Sequence, residues 1–365
     1  MPRRDTAVKD KHVQEHRSIR SIKSLGLIDI HFHGACGIDL MHASPGELQE
    51  LSKLLWDDGV AGFCPTTVSA DRDELQEALT KIGRWIRSEA APGALPLGIH
   101  LEGPFINADF RGAHPSGAIR PVRIAELSDL WEASQRTIKV ITIAPENLIA
   151  NKGSADGLTS IVSWARSHQI RLSLGHSRAT EAEAHHAFKA GFRGLTHAWN
   201  ALPFHHRSPG PLGAAVGSPE VFIETIIDQV HVSPTLIRWL LRLHPPDRIC
   251  FISDAAPAAG CPEEQSVPFG PLRVHAEGGA CRLKDGSLAG GGEVLSTAFC
   301  RWLESESRRL RRPLRSLMKE ALPCVTTTPL KYLGVRPSQV KTIRKTRQVV
   351  WNVTKKGVRV SPLRA

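Results

Sequence analysis

Six side chains of ligand or proton-transfer type fall at telling places in the sequence: His31 and His33 in IDIHFHG, Glu102 in HLEGPF, His176 in SLGHS, His197 in LTHAWN and Asp254 in FISDAA. Imidazole and carboxylate together suit a borderline divalent cation such as Zn²⁺, Fe²⁺, Co²⁺ or Mn²⁺. An ion of that kind activates water and polarises a carbonyl, so the chemistry on offer is that of a metal-activated water. A lone His-x-His on a strand is more often structural than metal-binding, and a single His after an apolar run carries less weight still. The joint occurrence argues for a metal site: HxH, Glu, His, His and Asp, in that order, each close to the end of a different apolar run.

Those runs are the elements that must bring the six together. Short β-branched stretches predict strands at 27–32, 61–64, 97–101, 138–143, 171–174, 194–196, 221–227 and 248–252. Helical periodicity falls between them at 45–58, 71–90, 124–134, 151–167, 180–190 and 234–243, with Ser44-Pro45 and Ser233-Pro234 as helix starts. Eight strands alternating with helices make a parallel α/β fold, a (β/α)8 barrel of TIM type. In such a barrel the C-terminal strand ends meet at one mouth, and alternation puts His31 and His33 on one face. The long loops 103–121 and 200–217 follow strands and belong to that mouth. Beyond 256 the pattern changes to a Gly/Pro-rich stretch with short strands near 272–276 and 281–283, then helices at 295–309 and 314–322 and a β-leaning tail at 349–360.

The chain has 365 residues, 41% hydrophobic and 23% charged, which excludes collagen-like, disordered and small disulfide-stapled classes. Seven scattered cysteines with no C-x-x-C pair argue against disulfides and zinc knuckles, and place the chain in a reducing compartment. No apolar run is long enough to span a bilayer, and the charged start lacks the apolar core of a signal peptide, so the expected location is cytoplasmic. The net charge of +11 first suggests a polyanion partner. Residues 1–26, 301–320 and 341–365 carry +4, +4 and +8, which leaves the rest of the chain at −5. The basic ends contain no recognised nucleic-acid reading module and no interleaved aromatics, so the expected partner is a small molecule.

The ordered run LIDIHFHGACGIDL, FCPTTVSA, HLEGPFINADFRGAHP, SLGHS, LTHAWNALPFHHRSPG, IIDQVHVS, ISDAAPAAG and LAGGG resembles the N-acetylglucosamine-6-phosphate deacetylases of the amidohydrolase superfamily. The likeness extends from about residue 25 to residue 334. It implies a metal held by Glu102, His176 and His197, a second ion at His31 and His33 with Glu102 bridging, and Asp254 as general base and acid. By the same resemblance, His114 of the GAH motif contacts the acyl carbonyl, Ala113 before it binds substrate, Asn200, Ala201 and His231 contact the sugar phosphate, and Arg207 reaches the phosphate of a neighbouring subunit in a homodimer. The implied reaction is metal-dependent hydrolysis of the acetamide of N-acetylglucosamine 6-phosphate, with one or two divalent ions, zinc foremost.

The chain departs from the family's pattern in two places. Only 26 residues, polar and without alternating strands, precede the first barrel strand. Either the small β-domain built from the chain ends is reduced or the start is truncated. The organisation expected is therefore a basic extension at 1–26, the catalytic barrel at 27–335 and a basic, β-leaning tail at 336–365. In addition, Gly291, Gly292 and Glu293 stand where family members carry Ser and an apolar residue, near the substrate. Two kinds of rival reading remain: another amidohydrolase, either a deacetylase of a different N-acyl amino sugar or an aminoacylase or cyclic-amide hydrolase, and a non-catalytic barrel that holds an acidic partner through its basic ends.

Overall fold

Capping and periodicity account for most of the helices. Ser44 and Thr180 each close a capping box with the Glu three residues on, Asp71 caps the backbone N–H of Glu74, and Ser233 caps that of Thr235. Leu75, Ala78, Leu79 and Ile82 then form one buried face at helical spacing. The fold is a computed structural model that describes residues 20–150, 155–263, 265–354 and 357–363.

The barrel strands are β1 Leu27–Phe32, β2 Val60–Pro65, β3 Ile99–Glu102, β4 Ile138–Ile143, β5 Arg171–Leu174, β6 Gly194–Leu195, β7 Phe222–Ile226 and β8 Ile249–Ile252. Strands β3 to β8 pair in parallel as one six-stranded sheet, and β1 pairs with β2. Single bridges, Thr66 to His100 and Phe32 to Ala255, close the ring between β2 and β3 and between β8 and β1. The result is the expected (β/α)8 barrel. The helices that return between strands are α1 Pro45–Asp57, α2 Arg72–Arg87, α3 Ile124–Ala133, α4 Leu158–Ser167, α5 Glu181–Ala190, α6 Gly210–Val216 and α7 Pro234–Leu243; α8, Leu295–Leu310, follows the β8 insertion. Residues 151–154, the start of an expected helix, lie outside the described residues; among those described, α4 begins at Leu158.

Register matters most in β1. Ile28 and Ile30 pack in the barrel interior with Val140, Phe222, Ile226, Cys250 and Ile252, yet Phe32 packs in the outer layer. The pairing with β2 slips between Asp29 and Phe32, and this irregularity turns His31 and His33 towards the mouth. At the other pole, Tyr332 from the helix Thr327–Tyr332 enters the barrel floor. A Cβ on Gly194 would lie 2.1 Å from its hydroxyl, so only glycine admits it.

The chain ends and the β8 insertion differ from the sequence reading. A strand, Arg20–Leu25, precedes the barrel although that stretch shows no alternation; it pairs antiparallel with Gln348–Val353, which pairs with Val358–Pro362. The partner strand supplies what the local sequence lacks, with buried Val349 and Trp351 closing onto the barrel's helices. The tail is not purely β-leaning either, since a helix, Pro337–Thr346, comes before its strands. After β8, four short strands, Val267–Phe269, Leu272–Glu277, Ala280–Arg282 and Leu288–Gly291, form an antiparallel sheet beside the mouth.

Candidate metal centre

Glu102, the last residue of β3, organises the mouth with its two oxygens. Oε2 lies 3.2 Å from Nε2 of both His31 and His33, and these nitrogens lie 3.2 and 3.3 Å from Asp254 Oδ1. Oε1 lies 3.3 Å from His176 Nε2 and 3.0 Å from His197 Nε2, which are themselves 2.9 Å apart. Ligands 2.0–2.1 Å from a tetrahedral ion are about 3.3 Å from one another, so both sets have the spacing of a coordination shell. All six residues are buried or nearly so.

Hydrogen bonds behind the rings set the tautomers. His31 Nδ1–H donates to Glu224 Oε2 at 3.2 Å, and His176 Nδ1–H donates to the Phe110 carbonyl at 2.9 Å. Each bond leaves an Nε2 lone pair facing Glu102, the form a metal requires. The Nε2 atoms of His176 and His197 stand 2.9 Å apart beside Glu102 Oε1, the spacing of ligands on one ion, so the donor sets fit a divalent metal. Below them His100 packs edge-on to His31 and bonds Thr142 Oγ1 at 2.8 Å.

Three of these residues hold a strained backbone. His176, His197 and Asp254 have φ of +45°, +29° and +51°, a region that costs non-glycine residues about 1–3 kcal/mol each. Neighbouring bonds hold them there: Asn107 N–H to the His176 carbonyl at 2.8 Å, Asn200 N–H to that of His197 at 3.0 Å, and Gly291 N–H to that of Asp254 at 2.7 Å. Glu146 secures the β5 loop by accepting from Ser177 Oγ, Arg178 N and Asn107 Nδ2. The glycines of the LAGGG run belong to this scaffold. A Cβ on Gly291 would stand 2.3 Å from the Ser253 carbonyl, and one on Gly290 would stand 2.7 Å from that of Asp254.

The electrostatics follow from burial and crowding. Burial alone would raise Glu102 and Asp254, but the surrounding imidazoles outweigh it and hold both carboxyls well below their usual range. Burial likewise works against the charged form of His31, and Glu102 and Asp254 reverse it and raise that imidazole. Burial brings His114 down to about 4, with the charge of His176 adding to it.

His114 Nδ1 accepts the Ser69 backbone N–H at 3.0 Å, with the Ser69 hydroxyl 2.8 Å away. The ring is therefore the neutral Nε2–H form, and Nε2 lies 3.5 Å from Glu102 Oε2, so it presents a donor to the mouth. A cleft of about 170 Å³ joins this donor to both ligand sets, and Ala113, Asn200, Ala201 and His231 also line it. Asn200 Nδ2 is turned back onto the His197 carbonyl at 3.2 Å. His231 Nδ1 is held at 2.5 Å by Asp228 Oδ2, which raises the imidazole against the effect of its burial. Arg207 is not brought into this group: it is exposed on the turn bridged by His205 and Ser208, outside the cleft lining.

Sequence reasoning passes over Ser69, Glu146 and Glu224. Glu224 carries the one readable signal, a carboxylate in the middle of the apolar strand FIETI. Ser69 and Glu146 become recognisable only through their partners.

No family model matches the chain. It is 36% identical over 264 residues to the N-acetylgalactosamine-6-phosphate deacetylase of Escherichia coli O157:H7, across 72% of this chain and 67% of that protein. It is 31% identical over 312 residues to the N-acetylglucosamine-6-phosphate deacetylase of Vibrio furnissii, across 85% and 73% respectively. Among solved structures it resembles a mutant N-acetyl-D-glucosamine-6-phosphate deacetylase from Mycobacterium smegmatis in complex with N-acetyl-D-glucosamine-6-phosphate. That likeness has a TM-score of 0.76 at 25% identity, over 86% of this chain and 78% of the other. The matches span about two thirds to three quarters of the length of these relatives; for the Bacillus subtilis one the share is 65%.

Proposed function

The chain belongs to the N-acetylglucosamine-6-phosphate deacetylase family of the amidohydrolase superfamily, metal-dependent enzymes that deacetylate an N-acetylated amino sugar, and from that premise we propose N-acetylglucosamine 6-phosphate as its substrate. The products would be acetate and the free amino sugar phosphate. The observation that carries this reading is Glu102, whose two oxygens address two imidazole pairs in a cleft that also holds a neutral imidazole donor. Likeness to an N-acetylgalactosamine-6-phosphate deacetylase favours a second reading, the 4-epimer, N-acetylgalactosamine 6-phosphate.

Glu102, His176 and His197 would hold one divalent ion, with zinc the choice that best suits two imidazoles and a carboxylate, and His31, His33 and Glu102 would hold a second. The bound ion supplies Lewis acidity and brings water into reach of deprotonation near neutral pH. Asp254 turns one oxygen to the His31–His33 pair, and the carboxylate takes the proton of the attacking water and returns it to the departing amine. His114 Nε2–H donates to the carbonyl oxygen as charge develops there, an interaction worth about 3–4 kcal/mol in comparable sites. His231, steadied by Asp228, and Asn200 bind the sugar phosphate. The exposed placing of Arg207 supports its serving the neighbouring site of a homodimer. Among the described residues no helix is long and apolar enough to cross a membrane; the proposed location is cytoplasmic.

Metal analysis combined with an amine-release assay tests the reading. Release from N-acetylglucosamine 6-phosphate is expected to exceed that from N-acetylgalactosamine 6-phosphate, unphosphorylated N-acetylglucosamine and N-acetyl amino acids. Activity confined to the amino acids would overturn it.

A further inference from the structure

The pole of the barrel opposite the metal carries a second recess, about 470 Å³ in volume, at the N-terminal ends of β4, β5 and β6. Four cations line it: Lys139 near the start of β4, Arg166 in the last turn of α4, Arg171 at the start of β5, and Arg193 just before β6. No carboxylate is among the lining residues, and none of the four pairs with a carboxylate among the described residues.

Backbone contacts explain part of this array. Arg171 Nε donates to the Tyr332 carbonyl at 2.9 Å, and Arg193 NH1 donates to those of Phe188 and Phe192 at 3.1 and 2.9 Å. Those bonds fix one edge of each guanidinium and leave the remaining N–H groups for a ligand. Among the described residues nothing comparable occupies Arg166 or Lys139. Glycines flank the guanidinium groups: a Cβ on Gly334 would stand 3.2 Å from Arg171 NH2, and one on Gly191 would stand 3.6 Å from Arg166 NH2. The Lys139 ammonium is pushed below its usual value, first by burial and then by Arg87, Arg336 and Arg171 against a counter-effect from Cys64. A recess lined by charge of one sign concentrates counter-ions, and planar guanidinium forks match phosphate oxygens.

We propose that this recess is a second anion site that binds a small phosphate dianion, either inorganic phosphate or a phosphate monoester, away from the metal-bearing cleft. Its volume falls within the range of small-molecule pockets, and several cations without a counter-charge favour a dianion over a monocarboxylate. The site depends on neither the metal nor the acetamide chemistry.

The test is calorimetric titration of the metal-loaded full chain with inorganic phosphate and, separately, glycerol 3-phosphate, with ionic strength held by chloride and no amino sugar phosphate present, since that monoester would itself enter the recess; equivalents are counted beyond any bound at the cleft. Wild type is expected to bind one further equivalent. Lys139→Met combined with Arg166→Gln is expected to weaken that step at least about tenfold, with amine release unchanged at low phosphate. Arg166 is exposed, so Arg166→Gln alone, which leaves the fold intact, is expected to weaken it by a smaller factor. Preference for one probe identifies the ligand as ester or free phosphate, and either result supports the site. Binding equal in wild type and both variants, or no second equivalent with either probe, overturns it.

Discussion

Replacing Glu224 tests both what holds the metal and what holds the fold. Its Oε2 accepts the His31 Nδ1–H at 3.2 Å in a fully buried setting, while Oε1 has no hydrogen-bond partner among the described residues. Glu224→Gln keeps the shape and an accepting oxygen and removes the charge. A hydrogen bond to a charged group is worth about 1.5–3 kcal/mol and a neutral one about 0.5–1.5. The loss is therefore about 1–1.5 kcal/mol at the His31–His33 position, or about tenfold in metal affinity, and Glu224→Ala moves towards the hundredfold end of such effects. Stability of the metal-free chain should fall as well. There the raised His31 imidazole faces this carboxylate, and removing one charge of a buried pair is destabilising, so metal-free Glu224→Gln is expected to melt lower than metal-free wild type. Chelator competition with elemental analysis reads both positions, and the Glu102–His176–His197 set should retain its ion. Wild-type affinity at both positions in Glu224→Gln would refute the tautomer argument.

Three further outcomes follow from the same geometry. Asp254→Asn is expected to lower turnover by about 10²–10⁴-fold with metal still bound at the Glu102–His176–His197 set, measured by amine release alongside metal content. Ser69→Ala removes the hydroxyl and leaves the backbone N–H on His114 Nδ1, so it should cost well under the about 10²–10³-fold expected of His114→Ala, and equal losses would contradict the assigned tautomer. Gly291→Ala forces a Cβ against the Ser253 carbonyl and should cost about 1–3 kcal/mol of stability together with activity, read as a lower melting temperature and reduced amine release.

Barrel strands are readable because each is a short apolar run between helices with strong starts, and their limits agree to within two residues at all eight positions. The strand Arg20–Leu25 was not readable. RSIKSL lacks the alternation that marks an amphipathic strand, and its pairing is supplied by residues more than 320 positions away. In the site, the residues near strand ends were visible as chemically unusual types after apolar runs. Ser69 and Glu146 look like ordinary loop residues until His114 and Ser177 are placed against them.

The order of HxH, Glu, His, His and Asp at the ends of five different strands already implies a metal-binding mouth, because strand direction in a parallel barrel leaves those ends nowhere else to go. The face that His31 and His33 turn to was decided by the slip of β1 against β2, since period-2 alternation says that they share a face and not which one. The tautomers of His31, His176 and His114 were decided by Glu224, Phe110 and Ser69, contacts across the barrel that no local pattern encodes. The charge pattern divides in the same way. The linear sequence locates the +11 excess at the ends and near residues 301–320 and leaves the rest at −5, but only the barrel gathers four cations of that net-acidic remainder, Lys139, Arg166, Arg171 and Arg193, around one recess, because the N-terminal ends of parallel strands converge just as their C-terminal ends do.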